Sequence, residues 1–136
     1  MGRRTWLVNT LGSSAPLVTF IPINRMLQGE SLVTAQIAKP FLVYRFGNRT
    51  NEALSEELPE VTRQFFSVYL HDVPADYSRI DEMEMALIHA LNLSRSAEQG
   101  IITTQYLETS RDLDDQALGT IYRYVRFQLI TGRGAP

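Results

Sequence analysis

Asp112, Asp114 and Asp115 stand close together in the run RDLDDQALG, and hard cations bind through carboxylate oxygens. The run lacks the ligand alternation, the glycine and the closing Glu of an EF-hand loop, so it reads as a solvated turn. His71 and His89 are the only histidines. Neither sits in a serine–carboxylate pattern that would support nucleophilic catalysis. His71, at a strand end, is expected to be an ordinary surface residue, and His89, on the helix side opposite Ile80, a solvated one. Glu84 falls by helical angle inside an apolar stripe, where a carboxylate must be paired or sit at the rim. Arg123 is a candidate partner, and the rim is the favoured reading. With zero cysteines, disulfides, zinc–thiolate sites and cysteine nucleophiles drop out together. No GxGxxG, phosphate loop or HExxH occurs. No catalytic, cofactor-binding or metal-binding residue is expected, and an enzyme ranks last among the function classes.

The elements that would position these groups centre on Val61–Leu93. Phe66, Val68 and Leu70 alternate with Phe65, Ser67, Tyr69 and His71, the period of a strand. Pro74 stops the ladder, and Asp76 can cap the helix that follows. In that helix Ile80, Met83, Leu87 and Leu91 form one stripe, flanked by Tyr77, Ile88 and Ala90.

Elsewhere, Arg3–Leu11 reads as a short helix ended by Gly12. Leu17–Ile23 reads as a strand broken by Pro22. Residues 24–39 fit either a hairpin or a loop with a short helix. Pro40–Gly47 is a strand in which Leu42, Tyr44 and Phe46 alternate with Phe41, Val43 and Arg45. Residues 48–60 are polar and acidic, a solvated loop or an arm reaching a neighbour. After a linker over 94–100, Ile101–Leu107 and Ile121–Ile130 are strands separated by the acidic turn. Residues 132–136 are a flexible tail. The expected fold is a single α+β domain over 1–136. A mainly antiparallel β-sheet carries a long helix (about 76–92) on one face, with a short N-terminal helix over 1–12.

A length of 136 residues suits one domain with a real core. The 44% hydrophobic and 21% charged residues are ordinary for a soluble globular protein. A formal charge of −2 gives no reason to expect nucleic acid, and no sequence-specific nucleic-acid contact is expected. No run is long enough to span a bilayer, so no membrane partner is expected. The start, MGRRTWLVNTLGSS, has basic residues but a broken apolar segment, a poor signal peptide. Lys39 is the sole lysine among 13 basic residues. A high-GC genome produces this bias without functional meaning; the alternative is that Arg is favoured at protein interfaces.

The strands have two unlike faces. In the last strand Ile121, Val125, Phe127 and Leu129 suit packing under the central helix. The opposite face carries Tyr122, Tyr124, Arg126, Gln128 and Ile130. The strand before the helix adds Arg63, Phe65, Ser67, Tyr69 and His71. A face left to water should be plainly polar, whereas this one mixes aromatics with arginines, as interface cores do. Either the N-terminal helix covers it, or copies of the chain hide it in each other. One short helix cannot cover it all, so self-association is expected through Arg45, Arg63, Phe65, Tyr69, Tyr122, Tyr124 and Arg126.

The succession QFFSVYLHD, DYSRIDEMEMALIHAL, a strand, RDLDDQALG and TIYRYVRFQLITG resembles the tail terminator or tail-completion proteins of long-tailed bacteriophages. The likeness covers roughly Pro40–Gly132, and its most telling part is the helix start Asp76-Tyr77-Ser78-Arg79-Ile80-Asp81. It implies an α+β virion protein of the phage neck, assembling in the host cytoplasm as a six-fold ring. That ring would cap the tail tube and join it to the head–tail connector or stopper. The aromatic–arginine face would then be a ring contact and residues 48–60 an arm or lumen-lining loop. A head-closure or minor tail protein is the neighbouring alternative. A small-molecule or peptide-binding α+β module is the alternative from another class.

Overall fold

The computed structural model describes residues 2–29, 38–53, 60–74 and 77–132. Its helices are α1 (Arg3–Gly12), α2 (Ala15–Phe20) and α3 (Tyr77–Leu91), and its strands are β1 (Met26–Gln28), β2 (Phe41–Ala53), β3 (Glu60–Asp72), β4 (Ile101–Thr109), β5 (Leu113–Asp115) and β6 (Thr120–Gly132). The architecture is α+β. Among the described residues the sheet has six strands in the order β1-β2-β3-β6-β4, with β5 beside β6 on the same edge as β4. Only β1 runs parallel to its neighbour; the other described pairings are antiparallel.

The alternation in β3 does what its period dictates. Phe66, Val68 and Leu70 are buried in one cluster with Leu42 and Tyr44 of β2 and Ile121, Val125, Phe127 and Leu129 of β6. The stripe Ile80, Met83, Leu87 and Leu91 of α3 closes over them. Each of those four side chains contributes roughly 1.5–3 kcal/mol on burial. Trp6, Leu7 and Leu11 of α1 and Leu17 of α2 enter the same cluster. All three α-helices therefore lie on one face of the sheet. None among the described residues is long and apolar enough to cross a membrane.

Three expectations need correction. Leu17–Ile23 is not a strand: α2 occupies Ala15–Phe20, with the Ser14 hydroxyl accepting from the Leu17 N–H and a proline in the first turn. Those start signals outweigh the β-branched content of a short segment. Gly12 ends α1 as expected, without a left-handed φ. The described part of the polar stretch after Gly47 is ladder. Arg49 to Ala53 pair with Gln64 to Glu60 past a register shift between Phe46 and Arg49, because backbone pairing does not require apolar side chains. The acidic turn likewise contains β5, paired with β6 from Thr120 to Tyr122. The Asp76 cap, residues 54–59, residues 30–37 and the tail from 133 lie outside the described residues.

Candidate assembly surface

The face of the sheet turned away from the helices is built by strand register. Tyr69 of β3 sits opposite Tyr124 of β6, His71 opposite Tyr122, and Ser67 opposite Arg126. On the other side Phe41, Val43 and Arg45 of β2 face His71, Tyr69 and Ser67. Residues directly across a ladder share a face and touch, so aromatics and guanidinium groups form one continuous surface. The Tyr69 ring lies 5.8 Å from that of Tyr124 and 6.2 Å from that of Tyr122. The Arg45 guanidinium lies 5.6 Å over the Tyr69 ring, and that of Arg126 5.5 Å over Phe65. Arg126 also pairs with Glu108 at 3.1 Å. Arg63, half-buried, continues the row opposite Ile130. The structure thus brings together Arg45, Arg63, Phe65, Tyr69, Tyr122, Tyr124 and Arg126 on a single face.

That face is not uniformly open. Arg45 is exposed and Phe65, Tyr69, Tyr122, Tyr124 and Arg126 are half-buried, but Phe41, Val43 and His71 are buried. His71 is not an ordinary surface residue. It is 4% exposed, stacked between Phe41 at 4.6 Å and Tyr122 at 5.0 Å. Its Nδ1 lies 2.8 Å from Thr120 Oγ1. Burial lowers its pKa from 6.5 to about 4, against the opposing pull of the Asp115 carboxylate. The residue type, polar and at a strand end, concealed this role. The alternation of β2 was the available signal, since it places Phe41 and Val43 on the His71 face. A cavity of about 330 Å³ opens here, lined by Val43, Arg45, Tyr69, His71, Asp115 and Tyr122.

On the helix side, Glu84 is both paired and at the rim. Arg123 Nη1 donates to Glu84 Oε1 at 2.9 Å, with the two side chains 13% and 22% exposed. The same guanidinium meets Asp81 and Asp112, each at 2.5 Å. Burial alone would lower the Arg123 pKa; hydrogen bonds to Asp112, Asp81 and Glu84 outweigh it and raise the pKa above the usual arginine value. Asp115 is occupied in the turn, where Oδ1 accepts from the Leu118 N–H at 3.0 Å. Among the described residues no group of His, Asp and Glu converges in a way that could hold a metal ion. His89 is exposed on α3.

No protein-family model matches the sequence, and no curated protein matches it. Among solved structures, the fold matches a chain described as "Virion of native gene transfer agent (GTA) particle", with a TM-score of 0.70. The match covers 93% of this chain and 91% of that chain at 12% identity. This protein shares the fold of a virion chain. At such low identity the virion chain speaks for the architecture, sheet and helices together, and not for individual residues.

Proposed function

We propose that this protein is a structural component of a phage-like virion that works by assembling into a ring, not by catalysis. In this reading the ring sits at the head–tail junction, terminates the tail tube, and joins it to the head connector or stopper. The observation that carries it is the aromatic–guanidinium face of β2, β3 and β6, which none of the described helices covers. Its composition is that of an interface core, and a second copy is the partner that would bury it. The fold shared with a virion chain supports the same reading, as does the resemblance of Pro40–Gly132 to tail terminators. Repeated identical contacts between unlike surfaces close into a ring, and a ring offers one rim to the tube and the other to the connector.

The test is position. A labelled copy imaged in intact virions is expected at the junction of tube and head connector. A label within the head-closure complex, or along the tail, reassigns the protein to a neighbouring structural role. One feature favours a second reading as a binding module: an apolar groove of about 480 Å³ between α2 and α3, lined by Pro16, Phe20, Met85 and Ala86 among others. Heat stabilisation by a small apolar ligand or peptide, without any self-assembly, would favour that reading.

A further inference from the structure

Two arginines near one edge of the sheet and two aspartates at the other each stand on opposite faces. At one edge β1 pairs with β2 from Met26–Leu42 as far as Gln28–Tyr44, so from Arg45 onward no described strand pairs with that edge of β2. Two exposed arginines flank this gap. Arg4 lies 5.4 Å over the Phe46 ring, on the helix side of the sheet, and Arg45 lies over Tyr69 on the other side. Both line a cavity of about 280 Å³ together with Gln28, Gly29, Tyr44 and Phe46. Neither makes an ion pair or hydrogen bond within the described residues. Gly29 lies against the Arg45 side chain: a Cβ there would lie 2.5 Å from Arg45 Cγ.

At the opposite edge β5 pairs only with β6, leaving its other side without a described strand. Its carboxylates alternate across the sheet. Asp114 is the register partner of Ile121, a core residue, and so projects to the helix side. Asp115 is the partner of Thr120 and lines the cavity beside His71 on the other side. Asp114 is exposed and makes no ion pair or hydrogen bond within the described residues.

We propose that the β5 edge of one copy lies along the open edge of β2 of the next, setting Asp114 against Arg4 on the helix side and Asp115 against Arg45 on the other. This rests on the ring reading above and adds an edge contact to the face contact named there. Edge-to-edge addition keeps the helix side of one copy beside the helix side of the next; with one copy offset along the strands, since β5 stands level with Phe41 and not with Arg45, each arginine meets the carboxylate on its own side. It satisfies backbone groups on these edges that no described strand pairs. The contact joins unlike edges, as a ring of identical subunits requires. Like charges brought together at such a contact oppose it, which gives it a register and a polarity.

The test uses the full chain in sedimentation velocity at low and high salt. Arg4→Glu and Asp114→Arg are each expected to lose assembly, their dissociation constants rising about tenfold or more. Mixed in equal amounts, the two variants regain it, because copies that alternate set opposite charges at every contact of an even-membered ring. High salt weakens the wild-type assembly. If either variant assembles like wild type, or the mixture stays dissociated, this contact is wrong even though the ring reading stands. If the wild-type chain is monomeric at every concentration and salt, this self-driven contact is wrong, and the ring reading itself falls if tail-tube ends mixed with the chain also stay bare. Recovery in the mixture also shows that both variants are folded.

Discussion

Tyr69 and Tyr124 are register partners on adjacent strands, and their rings lie 5.8 Å apart, inclined at 49°, on the face the helices leave uncovered. A cross-strand aromatic pair of this kind contributes roughly 0.2–1 kcal/mol to the sheet itself. The same rings at the centre of a subunit contact carry about 2 kcal/mol or more. Replacing Tyr122 or Tyr124 with Ala is therefore expected to weaken self-association about 30-fold, while the circular dichroism of the monomer stays largely unchanged. Loss of the fold in either variant would show that these side chains serve the monomer's core and not its contacts.

His71 sets a pH dependence of stability. Its folded-state pKa of about 4 lies below the ordinary 6.5 because the ring is buried. Between those values the unfolded chain takes up a proton that the folded chain refuses. The contribution of neutral His71 is complete above pH 6.5 and is lost as pH falls toward 4, by up to about 3 kcal/mol. Urea unfolding at stepped pH is expected to show that slope in wild type and a flatter one in His71→Phe. An unchanged slope in the variant would place the dependence elsewhere.

Leu93 holds a left-handed backbone, φ 65°, just after α3, and its side chain is 67% exposed. Its N–H donates to the Thr104 carbonyl at 2.6 Å, which ties the helix end to β4. A leucine in that conformation costs about 1–2 kcal/mol, and glycine recovers most of this less its own entropy penalty. Leu93→Gly is expected to gain about 0.5–1 kcal/mol, raising Tm by roughly 2–5 °C. A fall in Tm would mean that the leucine packs in a way its exposure does not suggest.

What the sequence disclosed, and what it hid, follows from where side chains decide structure. The alternation Phe66, Val68, Leu70 and the stripe Ile80, Met83, Leu87, Leu91 are patterns that burial imposes, and the sheet and α3 were legible from them. The partition of β6 into a core face and an aromatic–arginine face was legible for the same reason, and it located the candidate surface. β1 and β5 were not legible: each is three residues long, too short for a period, and formed by a neighbour's backbone. The ladder beyond Gly47 was masked by polar side chains on paired strands. His71 and Arg4 took their roles from tertiary neighbours, Phe41 and Tyr122 for one and Phe46 for the other. A single polar residue in a sequence carries no mark of such company.

The central claim is that copies of this chain bury the β2–β3–β6 face in each other. Negative-stain imaging of the purified full chain, alone and with tail tubes, tests it most directly. The account predicts closed rings of uniform size, formed alone or seated on the ends of the tubes. A chain that stays monomeric at high concentration and leaves the tube ends bare would contradict it.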